Sequence, residues 1–150
     1  METTSRRRRV ASVAALGGAI GAVAVDVLYI AAIIQQGVTP PGFRVPFVAI
    51  WIAVAALLAG IGAFTWDPRR RAQLLAVSAA WLLTLAVPAM FSIGVPLFIC
   101  AMAVGLGATR AAEELRLPWW VILLTPTLLV AAAGVILFAG FALTPGLNDP

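Results

Sequence analysis

The segment Pro88-Ala89-Met90-Phe91-Ser92-Ile93-Gly94-Val95-Pro96 lies near the middle of 38 residues, Ala72 to Thr109, that carry no charged side chain. As one helix, 38 residues would extend about 57 Å at 1.5 Å per residue, nearly twice a ~30 Å hydrocarbon core. Two prolines, a glycine and a serine interrupt helical hydrogen bonding there, so the stretch reads as two helices joined by a tight reversal. This reading gives spans near residues 72–87 and 95–108. If the segment is instead re-entrant or merged, the chain has four spans rather than five.

Upstream, a first apolar stretch runs from Val10 to Ile34, interrupted by Ser12, Asp26 and Tyr29 and ended by Gln35-Gln36-Gly37 and Pro40-Pro41-Gly42. A second, Pro46 to Thr65, carries proline in its first turn, where the missing N–H costs least, and stops at Trp66-Asp67-Pro68. Downstream, the last runs from Pro118 to Leu143; it opens on Trp119-Trp120 and contains Pro126, which predicts a kink, before Thr144-Pro145-Gly146. The expected fold is all-α: a single transmembrane helical bundle over residues 1–150, with spans near 10–34, 46–65, 72–87, 95–108 and 118–143 and short loops.

Composition agrees. With 63% hydrophobic and 11% charged residues in 150, the chain has too little polar surface to coat a soluble globule. All ten basic residues are arginine, a bias that predicts a GC-rich, bacterial genome. Arg6 to Arg9, Arg69 to Arg71, Arg110 and Arg116 fall in gaps on one side of the five spans, and Arg44 alone falls on the other. Cytoplasmic loops are the arginine-rich ones, so the N-terminus is expected inside and the C-terminus outside a bacterial cytoplasmic membrane. The same arginines are expected to meet anionic lipid headgroups, not nucleic acid, because every cluster abuts a span. The four-span alternative places Arg110 and Arg116 outside and weakens this asymmetry.

A cleaved first span is the competing expectation at the N-terminus. Arg6 to Arg9 resemble the charged region of a secretion signal and Ala22-Val23-Ala24 fits a small-x-small cleavage pattern. The apolar run continues for ten residues beyond Ala24, longer than signal segments usually are, which favours an uncleaved helix.

Chemistry-bearing residues are few. The chain has no histidine, which excludes histidine triads, HExxH zinc sites and imidazole-held haem or copper. Its single cysteine, Cys100, lies mid-span and is expected to pack as a small hydrophobe. No catalytic, cofactor or metal site is expected. Asp26 is the one acid well inside a span, where insertion costs roughly 2.5–3.5 kcal/mol, so it should face protein or trapped water. At comparable depth the third span offers Ser78, Trp81 and Thr84 on one broad helical face, supplying two hydroxyls and an indole N–H. Asp26, Ser78, Trp81 and Thr84 therefore form the candidate intramembrane polar site, as an interhelical hydrogen-bond cluster or as a proton or cation site.

Gly17 with Gly21, Ala56 with Gly60, and Ala101 with Gly105 repeat the small-xxx-small spacing that lets helix backbones approach. The segment Thr109 to Leu117 pairs Arg110 with Glu114 and Glu113 with Arg116 at helical spacing and is expected to be a solvated helix end. Trp66, Trp119 and Trp120 on the inner side, with Phe43, Phe47, Phe91 and Phe141 on the outer, fit interfacial belts. Apolar faces with almost no convergent polar groups point to a non-catalytic accessory or structural subunit of a membrane assembly, partnered by other membrane subunits or by itself. The second expectation is a small proton- or cation-linked transporter or channel using Asp26.

Overall fold

The computed structural model describes residues 2–37, 44–115 and 119–143. Five α-helices account for nearly all of them: α1 Glu2–Gln35, α2 Arg44–Phe64, α3 Pro68–Ala86, α4 Val95–Glu114 and α5 Trp119–Leu143. The segments Pro40-Pro41-Gly42 and Thr144-Pro145-Gly146, together with Arg116, lie outside the described residues.

The reversal falls where residues 88–96 predict it. Helix α3 ends at Ala86, and a single π-helical turn, Met90–Gly94, leads into α4 at Val95. The Gly94 N–H donates to the Ala89 carbonyl at 2.7 Å and the Ser92 N–H to the same oxygen at 2.9 Å. A Cβ on Gly94 would collide with the Ala86 and Ala89 carbonyls, so this close approach requires glycine.

Helix starts extend beyond the expected limits. Helix α1 begins at Glu2, so the Arg6 to Arg9 run is itself helical. Helix α3 begins at Pro68 rather than Ala72, because the Asp67 side chain accepts the Arg69 N–H at 3.0 Å and proline occupies the first turn. Helix α4 continues past Ala108 to Glu114.

Helices α1 to α4 form a ring in which each packs against its two neighbours: α1 on α2 and α4, α3 on α2 and α4; α5 lies outside it, against α3. Neighbours within the ring are antiparallel. Ser12 Oγ donates to the Ala63 carbonyl across α1 and α2, Ser78 Oγ to the Ala55 carbonyl across α2 and α3, and Ala79 lies beside Gly105 across α3 and α4. The described arginines of α1, α3 and α4 consequently gather at one end.

More than half of the buried apolar residues are alanine, including Ala11, Ala15, Ala22, Ala55, Ala59 and Ala111, all with no exposed surface. Many large apolar side chains point outward: Ile20, Leu28, Phe64, Phe138 and Phe91 are each more than two-thirds exposed, although Ile52, Leu75, Leu82 and Leu97 are fully buried. Water would drive the opposite sorting, with isoleucine, leucine and phenylalanine inside. Small interfaces and large apolar exteriors are what helices in lipid adopt. Three stretches among the described residues, Arg9–Gln35, Val45–Phe64 and Met90–Glu114, are long and apolar enough to cross a membrane, and less than half of each is buried. Helix α3 opens on three arginines and is not among them; the apolar run Leu128–Gly140 of α5 is shorter.

The seam between α1 and α4 is close-packed along its length. A Cβ on Gly18 would lie 2.6 Å from Val104 Cγ2 and 2.9 Å from the Cys100 carbonyl oxygen, and one on Gly21 would lie 2.8 Å from Cys100 Sγ. Cys100 is buried there as a small hydrophobe. Gly107 of α4 faces the Ala11 carbonyl and Ala15. Gly17, the expected partner of Gly21 in this seam, is exposed and meets nothing, and Gly60 likewise faces open space. The register is thus Gly18 and Gly21, one position away from the sequence expectation. Gly18→Ala should lower stability by about 1–3 kcal/mol through overpacking. Gly17→Ala should be neutral or raise it by about 0.5–1 kcal/mol through helix propensity. Thermal unfolding of both variants in detergent checks the pair; equal effects would place the seam elsewhere.

Candidate functional site

Two polar zones occupy the bundle, one at mid-depth and one at the arginine-bearing end. At mid-depth, Ser78 is buried and its hydroxyl donates to the Ala55 carbonyl at 2.7 Å. Thr84 donates to its own helix at the Ala80 carbonyl, 2.8 Å, and lies 3.4 Å from the Val130 carbonyl of α5. Both hydroxyls are therefore spent on main-chain oxygens. Trp81 is stacked on Trp51, ring centroids 4.1 Å apart, while the Trp51 indole N–H donates to the Trp81 carbonyl at 3.0 Å. Phe47 extends this group, 5.8 Å from Trp51.

Asp26 is half-buried, and its Oδ1 is buried without a hydrogen-bond partner among the described residues. The Trp81 Nε1 is in the same condition. Asp26 lines a shallow lateral groove between α1 and α2, with Val23, Ala53, Leu57 and Gly60 along its walls. The expected cluster is thus brought together only in part. Ser78, Trp81 and Thr84 share α3 and tie it to α2 and α5, whereas none of the three donates a hydrogen bond to Asp26, whose helix packs on α2 and α4.

At the other zone, the arginine run divides its labour. Arg70 pairs with Asp67 at 3.7 Å in solvent, and Arg69 is exposed. Arg71 is 1% exposed: its Nε and one terminal nitrogen donate to the Thr65 carbonyl at 3.1 and 3.0 Å, and the other nitrogen lies 3.8 Å from Glu114 Oε1. One guanidinium thus joins the C-terminal end of α2, the first turn of α3 and the last turn of α4. Charge inside a protein is favourable only where it is paired, and here an orphan helix-end carbonyl and a carboxylate share it. Glu114 faces Arg71 rather than Arg110, its expected partner; Arg110 instead pairs with Glu113 at 3.2 Å.

No protein-family model, curated protein or solved structure matches the chain. Among the described residues no three histidine, cysteine or acidic side chains converge as metal ligands would. The polar groups that do converge serve helix-to-helix attachment.

Sequence reasoning missed Arg71 as a buried group because it sits among exposed arginines, and missed the Trp51–Trp81 stack. The stack was readable: the two tryptophans lie 15 residues either side of Trp66, at the turn between two antiparallel helices, and so must meet at equal depth.

Arg71→Met should destabilise the bundle by about 2–3 kcal/mol, since it removes the charge partner of the part-buried Glu114 and the donors to the Thr65 carbonyl. Adding Glu114→Leu should recover more than half of that loss. Reversible unfolding of the single and double variants in detergent measures the coupling; additive effects would mean that the two side chains do not interact.

Proposed function

We propose that the chain is a small five-span protein of a bacterial cytoplasmic membrane, N-terminus inside and C-terminus outside, acting as a non-catalytic accessory or structural subunit of a membrane assembly. The observation that carries this reading is the distribution of surface. The Arg9–Gln35 stretch of α1 is the least covered of the three long apolar stretches, only 22% buried. Its one acid opens onto the groove that α1 forms with α2, not onto a path through the bundle. Ala53 and Gly60 keep the floor of that groove small, which suits the close approach of another membrane helix. A donor on that helix supplies the hydrogen bond that Asp26 Oδ1 lacks. The reversal at residues 88–96 and the antiparallel packing of α1 to α4 support five crossings, and the arginine partition supports the orientation.

The chain purified from its own membrane in mild detergent should carry a stoichiometric membrane subunit. Asp26→Asn, which keeps shape and removes charge, and Asp26→Val, which removes all hydrogen bonding, should weaken its retention in increasing order, by about tenfold for valine, given 1–2 kcal/mol per intramembrane hydrogen bond. A lone monomer, or retention indifferent to Asp26, would reject the reading. Cysteines placed at residues 4 and 147 should be labelled by an impermeant maleimide only from the inside and only from the outside, respectively.

A second reading, a small proton- or cation-linked transporter or channel using Asp26, draws support from the same unpartnered oxygen. It requires purified chain in liposomes to carry a proton or cation flux that Asp26→Asn abolishes.

A further inference from the structure

A cleft of about 570 Å³ runs between α3 and α4, from Arg69, Gln73 and Thr109 at the arginine-bearing end to Leu83, Ala101 and Val130 deeper in the bundle. Along α3 the distance from Arg69 to Leu83 is about 21 Å at 1.5 Å per residue, more than one leaflet of a ~30 Å hydrocarbon core. Its walls are Ala72, Ala76, Ala79, Gly105, Ala108 and Ala112. A Cβ on Gly105 would meet only Ala79, at 3.9 Å, so the two helices part here instead of sealing as α1 and α4 do at Gly18. The volume is of the size that holds a small ligand, and the lining is apolar except at the mouth.

The mouth carries a specific charge. Of the four arginines at 69–71 and 110, Arg70 has Asp67, Arg71 has Glu114 and Arg110 has Glu113. Arg69 has no acid partner among the described residues: only its backbone N–H meets Asp67. An exposed, unneutralised guanidinium above a narrow apolar slot is complementary to an anionic head on a hydrocarbon tail. We propose that the α3–α4 cleft holds one acyl chain of an anionic phospholipid, with the lipid phosphate on the Arg69 guanidinium and Gln73 and Thr109 beside it. This assignment rests on the membrane placement proposed above.

The experiment is native mass spectrometry of the full chain in mild detergent, titrated with phosphatidylglycerol or with phosphatidylcholine of the same acyl chains. One phosphatidylglycerol per chain should be retained, at least fivefold more than phosphatidylcholine. Arg69→Gln should bring the two lipids level, while Arg70→Gln, whose arginine is already paired with Asp67, keeps the preference. Gly105→Leu and, independently, Ala76→Leu should plug the cleft and reduce retention of both lipids at least fivefold, with helical circular dichroism unchanged; a variant that loses helicity is set aside for the other. Equal retention of both lipids by the unaltered chain, an Arg69→Gln chain that keeps the preference, a lipid-free monomer, or a lipid-free dimer with a second copy in the cleft each overturn the proposal. Vesicle flotation of the same preparation separates the two levels: a chain that floats but shows no phosphatidylglycerol preference overturns the lipid site alone, and a chain that stays in the aqueous fraction overturns the membrane placement.

Discussion

Contact between helix backbones is the constraint on which this bundle depends. At Gly18 the α1 backbone approaches the Cys100–Val104 turn of α4 so closely that a methyl group has no room, and Gly107 repeats the approach one end further along. Such contacts gather many weak dispersion terms where hydrophobic transfer contributes little, as it does when the surroundings are as apolar as the interior. The alanine-rich core is a consequence. Where α1 lies this near α4 the contacting side chains are mostly small, Ala11, Ala15, Ala22, Ala101 and Ala108 with Cys100 and Val104, while large side chains such as Ile20 and Leu28 turn outward.

Polar side chains reinforce the same contacts without forming a reactive centre. Ser12, Ser78 and Thr84 each donate to a main-chain carbonyl, and the Ser12 and Ser78 bonds stitch neighbouring helices at the end and the middle of α2. Arg71 performs this role with a charge, joining three helix ends through the Thr65 carbonyl and Glu114. Its burial also separates it from Arg69 and Arg70. Three consecutive arginines thereby hold three environments: one structural, one neutralised by Asp67 and one open at the mouth of the α3–α4 cleft. Asp26 stands apart from these networks. Its unpartnered oxygen lies beside a lateral groove rather than among the hydroxyls of α3, so it is open to a partner at the bundle's outer surface.

Much of the fold was legible in the chain. The charge-free run from Ala72 to Thr109 with its proline- and glycine-bearing centre located the α3–α4 reversal, because a helix cannot be prolonged through those residues. The start of α3 was legible too, in Asp67-Pro68, although the arginines that follow suggested a later one. The candidate site was legible only in part. Ser78, Trp81 and Thr84 lie on one helix, but the two hydroxyls donate to carbonyls, which every residue possesses and no sequence pattern marks, and Trp81 stacks on Trp51 with its indole N–H unpaired among the described residues.

The sequence by itself determined that the chain is helical, that it reverses between α3 and α4 and that Arg9–Gln35, Val45–Phe64 and Met90–Glu114 are apolar over a membrane-spanning length, since these follow from local hydrogen bonding and transfer energy. Tertiary structure decided which face of each helix is turned inward and which charges meet. Helices α1 and α5 gather their apolar residues on no one side, so no amphipathic stripe announces that Gly18 rather than Gly17 meets α4. Glu114 had Arg110 one turn away and chose Arg71 instead, 43 positions distant in the chain, because the antiparallel ring of α2, α3 and α4 brings the ends of those helices to one place.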